Sequence, residues 1–240
     1  MTEILLLNAV IFLGAFVQGL IGFGLGVVCA PLIFLVEPGY LPAPLILLST
    51  LLTSVILVAN RADLSFRLVR WPIVGQAFGV VSAALIMAVI NEAMFGLVFA
   101  LLLLLAVVLT VLRLRLPINV LTGSVCGYIA GLSGTVVAVG GPPVALLFHS
   151  LSPRQTLANL STFFLVGCLM SLAALFLIGR LTWQEVLLAV QLLPGLVAGF
   201  YASHFAGFLR QPKIVKGATV LFSGLMAVYL LAKYSLQLLA

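Results

Sequence analysis

The sequence predicts an all-α polytopic membrane protein of two inverted-topology repeats, each of about four hydrophobic segments, the first segment of each repeat broken or re-entrant. Three observations predict it: a charge-poor composition, eight apolar runs between polar breaks, and two over-long, glycine-cut runs that resemble each other. Of the 240 residues, 64% belong to the AVILMFWYC set and only 7% are charged. A soluble domain needs about a quarter of its residues charged to cover its surface, so lipid must be the solvent here. The net charge of +6 comes from 11 Lys/Arg against 5 Asp/Glu. These cations sit singly between apolar runs, which points to positive-inside loops and away from a nucleic-acid partner.

The first element, Ile4–Val36, holds 33 residues without Asp, Glu, Lys or Arg. That exceeds the roughly 20 residues of one crossing and falls short of two. Gly19, Gly22, Gly24, Gly26 and Pro31 cut it, predicting two half-length helical pieces joined by irregular backbone. Ordinary spans follow at about Leu41–Ala59, Trp71–Ile90 and Ala93–Leu112. Ile118–Ser150 is again 33 uncharged residues, cut by Gly131, Gly134, Gly140, Gly141, Pro142 and Pro143. Thr156–Ile178, Val186–Leu209 and Gly217–Ala232 complete the eight. Met1-Thr2-Glu3 lacks the positive start of a cleavable signal peptide.

Halves emerge from internal matches. A shift of 112 places Gly19-Leu20-Ile21-Gly22 on Gly131-Leu132-Ser133-Gly134, Pro31 on Pro143, and Leu48–Leu52 on Leu160–Phe164. A shift of 120 places Gly75 and Gly79 on Gly195 and Gly199. Residues 1–116 and 117–240 are therefore expected as two membrane repeats of one transport domain. If each long run goes in and returns, Arg61, Arg67, Arg70, Arg113, Arg115, Arg154, Arg210, Lys213 and Lys216 share one side. Only Arg180 and Lys233 then lie opposite. That distribution favours antiparallel halves with both termini outside.

Broken segments at matching places in two halves point to a transport site. A half-helix start offers bare N–H groups and a partly positive dipole end, which hold an anion without a charged side chain. The anion is thus expected between the breaks, at Gly22, Phe23 and Gly24 and at Ser133, Gly134 and Thr135. Ser49, Thr50, Ser161 and Thr162 either face the breaks or bond their own helix carbonyls. Gln18 and Gln76, deep in apolar runs, need partners and are read as cavity-lining. Gln191 is read as satisfying the carbonyl that Pro194 frees. His149 with Arg154 forms either a coupling or anion gate or an interfacial pair. Cys29, Cys126 and Cys168 read as small core residues; no metal or cofactor is expected. The Gly75/Gly79 and Gly195/Gly199 faces pack helices within or between subunits, leaving a homodimer open.

Gly19-Leu20-Ile21-Gly22-Phe23-Gly24-Leu25-Gly26 with Pro31 resembles the N-terminal signature of the sulfite exporter TauE/SafE family of membrane permeases. Gly131–Gly134 and Gly140-Gly141-Pro142-Pro143 resemble its second-half counterpart. The resemblance implies movement of sulfite, sulfonates or similar small anions across a bacterial inner membrane. This sequence departs from an even duplication in carrying Thr135-Val136-Val137-Ala138 where the first half has Phe23-Gly24-Leu25-Gly26. Two alternatives remain. Gly131-Leu132-Ser133-Gly134 also fits the serine motif of rhomboid-like intramembrane proteases, with His204 as base. A passive anion channel would use the same residues as the permease.

Overall fold

A computed structural model describes residues 2–112, 116–205 and 212–239, and these are helical without strands. Arg113, Arg115 and Arg210, part of the charge count above, lie outside the described residues, as do Ala206–Leu209 of the seventh run. The helices are α1 (Thr2–Ile21), α2 (Leu25–Val36), α3 (Ala43–Asn60), α4 (Phe66–Val89), α5 (Glu92–Leu112), α6 (Val120–Val137), α7 (Gly141–Ala145), α8 (Pro153–Leu177), α9 (Trp183–Gln191), α10 (Leu193–Phe205) and α11 (Pro212–Leu239). Among the described residues, six helices are long and apolar enough to cross a membrane, seven if α9 and α10 count as one bent span. The protein is a multi-pass membrane protein. Side chains such as Val58, Phe78, Val89 and Leu177 stand exposed on its flank, as lipid solvation requires.

Starts follow local chemistry. Ser152 and Asn119 form capping boxes with Gln155 and Thr122, opening α8 and α6. Thr182 does the same with Glu185 at α9. Ser65 precedes α4, and its N–H donates to Oδ1 of the buried Asn159 of α8 (3.1 Å). Consequently Arg67 and Arg70 lie in the first turns of α4, not in the loop that the polar punctuation suggested.

The long runs differ from the expected pairs of equal pieces. The first divides into 20 and 12 residues, the second into 18 and 5. In each case a span-length helix is followed by a short one that turns back on it, because the breakers cluster late in the run.

Close helix pairs form where glycine removes the side chain. On α4, Gly75 and Gly79 press against the backbone of Ser124 and Tyr128 of α6, while Gly127 and Gly131 receive Pro72 and Gln76. On α10, Gly195 and Gly199 press against the backbone of Asn8 and Phe12 of α1. Any Cβ at these positions would meet main-chain atoms, so small residues set the helix spacing. Both glycine faces are used inside the chain.

The run read as one rod over Val186–Leu209 is bent by 46° between α9 and α10. Proline 194 removes one internal donor, and a side chain from another helix completes the break. Asn8 Nδ2 donates to the Gln191 carbonyl (3.0 Å), and Asn8 Oδ1 accepts from the Gly195 N–H (2.8 Å). Its carboxamide thus replaces the bond that Gln191 and Gly195 would make in a continuous helix. The Gln191 side chain has a different role from the one expected: its Oε1 accepts from the Tyr40 hydroxyl (2.9 Å).

Candidate functional site

The first break begins where Gly22 and Gly24 take φ of 88° and 152°, values that side chains disfavour. Gly22 N–H donates to the Gln18 carbonyl (2.7 Å), closing α1. Gln18 Oε1 then accepts from Leu25 N–H (3.0 Å), opening α2. One buried glutamine therefore ends one helix and caps the next. From there α2 runs back along α1: Leu25 covers Gly14, and Cys29 Sγ donates to the Val10 carbonyl (3.3 Å).

The second break lies one turn later than the duplication predicts. Helix α6 continues through Gly134 to Val137, and the chain turns at Ala138, whose φ of 58° is left-handed. Thr135-Val136-Val137 stands where the first half has Phe23-Gly24-Leu25, so no glycine is available to leave helical geometry earlier. Val139 N–H closes the turn on the Ser133 carbonyl (3.3 Å). Gly141-Pro142-Pro143 then starts α7. The breaks touch: Gly26 lies against the Ala138 carbonyl, and the Phe23 ring lies on Gly141.

Between them is a cavity of about 60 Å³. One water needs at least roughly 10–15 Å³, so there is room for a few waters or one small anion. Its wall takes Gln18, Phe23 and Gly24 from the first break and Gly134, Ala138, Gly140 and Gly141 from the second. Helix α3 adds Ile46, Ser49 and Thr53; α4 adds Gln76; α8 adds Phe164, Gly167, Cys168 and Ser171. Among the described residues, no Asp, Glu, Lys, Arg or His lines it. Gln76 is 4% exposed, its carboxamide lies on Gly167, and its Oε1 has no hydrogen-bond partner.

Of the residues singled out in the sequence, Gln18, Phe23, Gly24, Ser49, Gln76 and Gly134 stand on this wall. Others lie off it. Gly22 packs against Leu157, and Thr50 and Thr162 bond the carbonyls of Ile46 (2.8 Å) and Ala158 (2.9 Å). Ser133 bonds the Ile129 carbonyl (2.8 Å), and Thr135 bonds Gly131 (2.8 Å) and shares a hydrogen bond with Ser171 (2.7 Å). Ser161 is fully buried without a partner. His149 and Arg154 are exposed, and His149 Nδ1 lies 3.0 Å from the Leu146 carbonyl.

Sequence reasoning missed Thr53 and Ser171 and placed Cys168 in the core, whereas it borders the cavity. A helical-face signal was present. Ile46, Ser49 and Thr53 are spaced i, i+3, i+7, and Phe164, Gly167, Cys168 and Ser171 continue the same spacing on α8.

Ser133 and His204 are each engaged by a carbonyl of their own helix, Ile129 and Phe200 (3.0 Å), with no hydrogen bond between them among the described residues. The family model for Sulfite exporter TauE/SafE matches residues 7–230. The chain belongs to this family. No curated protein and no solved structure matches it. Membership in the TauE/SafE family makes the protein a membrane permease of the sulfite-exporter kind and a transporter, not an enzyme. The protease alternative is not favoured.

Proposed function

We propose that this TauE/SafE protein moves a small anion, such as sulfite or a sulfonate, across a bacterial inner membrane by alternating access. The anion sits between the α2 and α7 ends near mid-membrane. The single observation that carries this reading is a neutral cavity, walled by both halves, at the N-terminus of α2. A helix start carries about half a positive charge and spare N–H groups, so it attracts an anion and disfavours a cation.

The pairing of helices supports a two-fold relation between the halves, and the distribution of Lys and Arg between the two sides supports its inverted sense. Helix α1 packs on α10 as α6 packs on α4; α2 meets α11 as α7 meets α5; α3 meets α8. Exchanging the halves maps this pattern onto itself, as a two-fold pseudo-axis requires. With both gates at one axis, rocking one repeat against the other opens the cavity to alternate sides. A homodimer gains no support from the glycine faces, which are occupied within the chain.

Counterflow in proteoliposomes tests the reading. Unlabelled sulfite inside should accelerate entry of labelled sulfite outside, and Gly134→Leu, which fills the cavity, should abolish it. Equal flux with and without internal sulfite favours the channel; full flux in Gly134→Leu removes the site.

A further inference from the structure

We infer that Gln18 and Gln76 determine the specificity of the site: their carboxamide nitrogens, both from the first half, donate to separate oxygens of the bound anion. The inference rests on the transport reading above and deepens it.

Hydrogens free to point into the cavity are few, and each can be traced. Gln18 gives its Oε1 to the Leu25 N–H, which fixes the two ends of its amide. Its Nε2 therefore keeps both hydrogens and makes no hydrogen bond among the described residues. The side chain is only 4% exposed, on the cavity wall. Gln76 is buried to the same extent on the same wall. Its Oε1 is sealed inside the protein, so the nitrogen is the open end of this amide, again without a partner. Turning the amide over would seal two hydrogens in place of one oxygen and leave more bonds unmet. Buried donors of this kind are costly unless a ligand accepts from them.

The second half offers no equivalent. At the shift of 112 the mate of Gln18 is Ala130, which also stands on the wall but carries only a methyl group. At the shift of 120 the mate of Gln76 is Leu196. Ser171 is the hydroxyl that this half brings to the wall, and its hydrogen is spent. Thr135 gives its own hydrogen to the Gly131 carbonyl, so Ser171 is the donor in the bond that the two share. Beyond the Cys168 thiol, a weak donor, this half closes the cavity with glycines and apolar side chains. Two nitrogens on separate helices, α1 and α4, call for two acceptors on one ligand. A head with three oxygens, as in sulfite or a sulfonate, supplies them together; a cationic head would meet hydrogens with hydrogens.

The test uses the full-length protein in proteoliposomes with methanesulfonate, which stays singly charged throughout. Gln18→Glu keeps an oxygen for the Leu25 N–H and reverses the polarity of the end facing the cavity. Gln76→Glu reverses the second nitrogen, where no protein hydrogen bond is lost. Flux through each variant is read as a ratio to wild type at the same pH. At about pH 8 the ratio should be about one tenth or less, since a hydrogen bond to a charged group is worth about tenfold or more. It should recover at least about fivefold towards about pH 4, where a protonated carboxyl again presents a hydrogen. A ratio near one at about pH 8 overturns the proposal. So does a ratio that stays low on acidification in a variant whose thermal unfolding matches wild type. Wild-type protein in detergent, isotopically labelled in its glutamine side-chain nitrogens, decides independently of how well a variant folds. Methanesulfonate should shift two carboxamide signals in its NMR spectrum, and fewer than two overturns the proposal. Absence of wild-type flux for sulfite and methanesulfonate alike defeats the transport reading instead, and the carboxamide signals still decide the binding claim.

Discussion

The two breaks solve one geometric problem with different residues. In the first half, glycines at 22 and 24 supply positive φ, the helix stops at once, and Gln18 bridges the gap with its side chain. In the second, a β-branched stretch holds the helix for another turn, and an alanine is forced left-handed at position 138. Its mate at the shift of 112 is Gly26, and these two positions are in contact. The lesson is that the matched positions of the two halves agree less well in where the chain turns back than in where the two turns meet. The contact between Gly26 and Ala138 fixes the halves to each other; each break then ends its helix where its own sequence permits.

The largest effect should come from that contact. A Cβ at Gly26 would collide with the Ala138 carbonyl, which is main chain and cannot rotate away. Gly26→Ala should therefore cost at least about 3 kcal/mol, the upper end of ordinary overpacking, and abolish transport. Gly134→Ala is the contrasting case, since its nearest neighbour would be Gly140 Cα at 3.6 Å, an ordinary contact. It lies within α6 and should change stability by less than about 1 kcal/mol, in the favourable direction of helix propensity. Thermal unfolding in detergent reads both. Equal losses at the two positions would remove the asymmetry between the breaks.

A smaller effect is expected at the bend between α9 and α10. Asn8→Leu leaves the Gln191 carbonyl and the Gly195 N–H without their partner, at about 1 kcal/mol each, the lower end for unsatisfied groups because neither bond is fully buried. In the equivalent helix pair of the other half, α4 on α6, no side chain from the partner helix replaces a helical bond among the described residues. Ser124→Ala there should stay within about 0.5 kcal/mol. Loss of stability in Ser124→Ala comparable to that in Asn8→Leu would show that the pairs depend on side-chain bonding alike.

The spans were legible because lipid solvation leaves a signal in composition over 20 residues. The existence of both breaks was legible because glycine and proline act locally. Their positions were less so: Gly134 looks like Gly22 in sequence, and only the neighbours Val136 and Val137 decide that α6 runs on. Position on the cavity wall required rotation about a helix axis. Ser49 and Thr50 are adjacent in sequence yet point about 100° apart, so only Ser49 and its i+4 neighbour Thr53 face inward. The bend at Leu192 depends on Asn8, more than 180 residues away, and no local reading of Pro194 contains it. The repeat also misled at Ser161, the mate of Ser49, which is sealed away from the cavity.

The smallest expected effect isolates backbone strain at the second break. Ala138 has φ 58° and ψ 22°, a region that costs a residue with a Cβ roughly 1–2 kcal/mol. Glycine relieves that cost but enlarges the unfolded ensemble, returning about 0.4–1 kcal/mol. Ala138→Gly should therefore stabilise the protein by about 0–1.6 kcal/mol, and transport should persist, since the carbonyl that meets Gly26 is retained. Ala138→Val separates strain from entropy. A branched side chain suffers more in left-handed geometry and should lose at least about 1 kcal/mol relative to alanine, although valine is the more apolar residue. If Ala138→Gly destabilises the protein by more than about 1 kcal/mol, position 138 carries no strain that glycine relieves. The second break would then be as comfortable as the first, and the difference between the halves would lie in helix length alone.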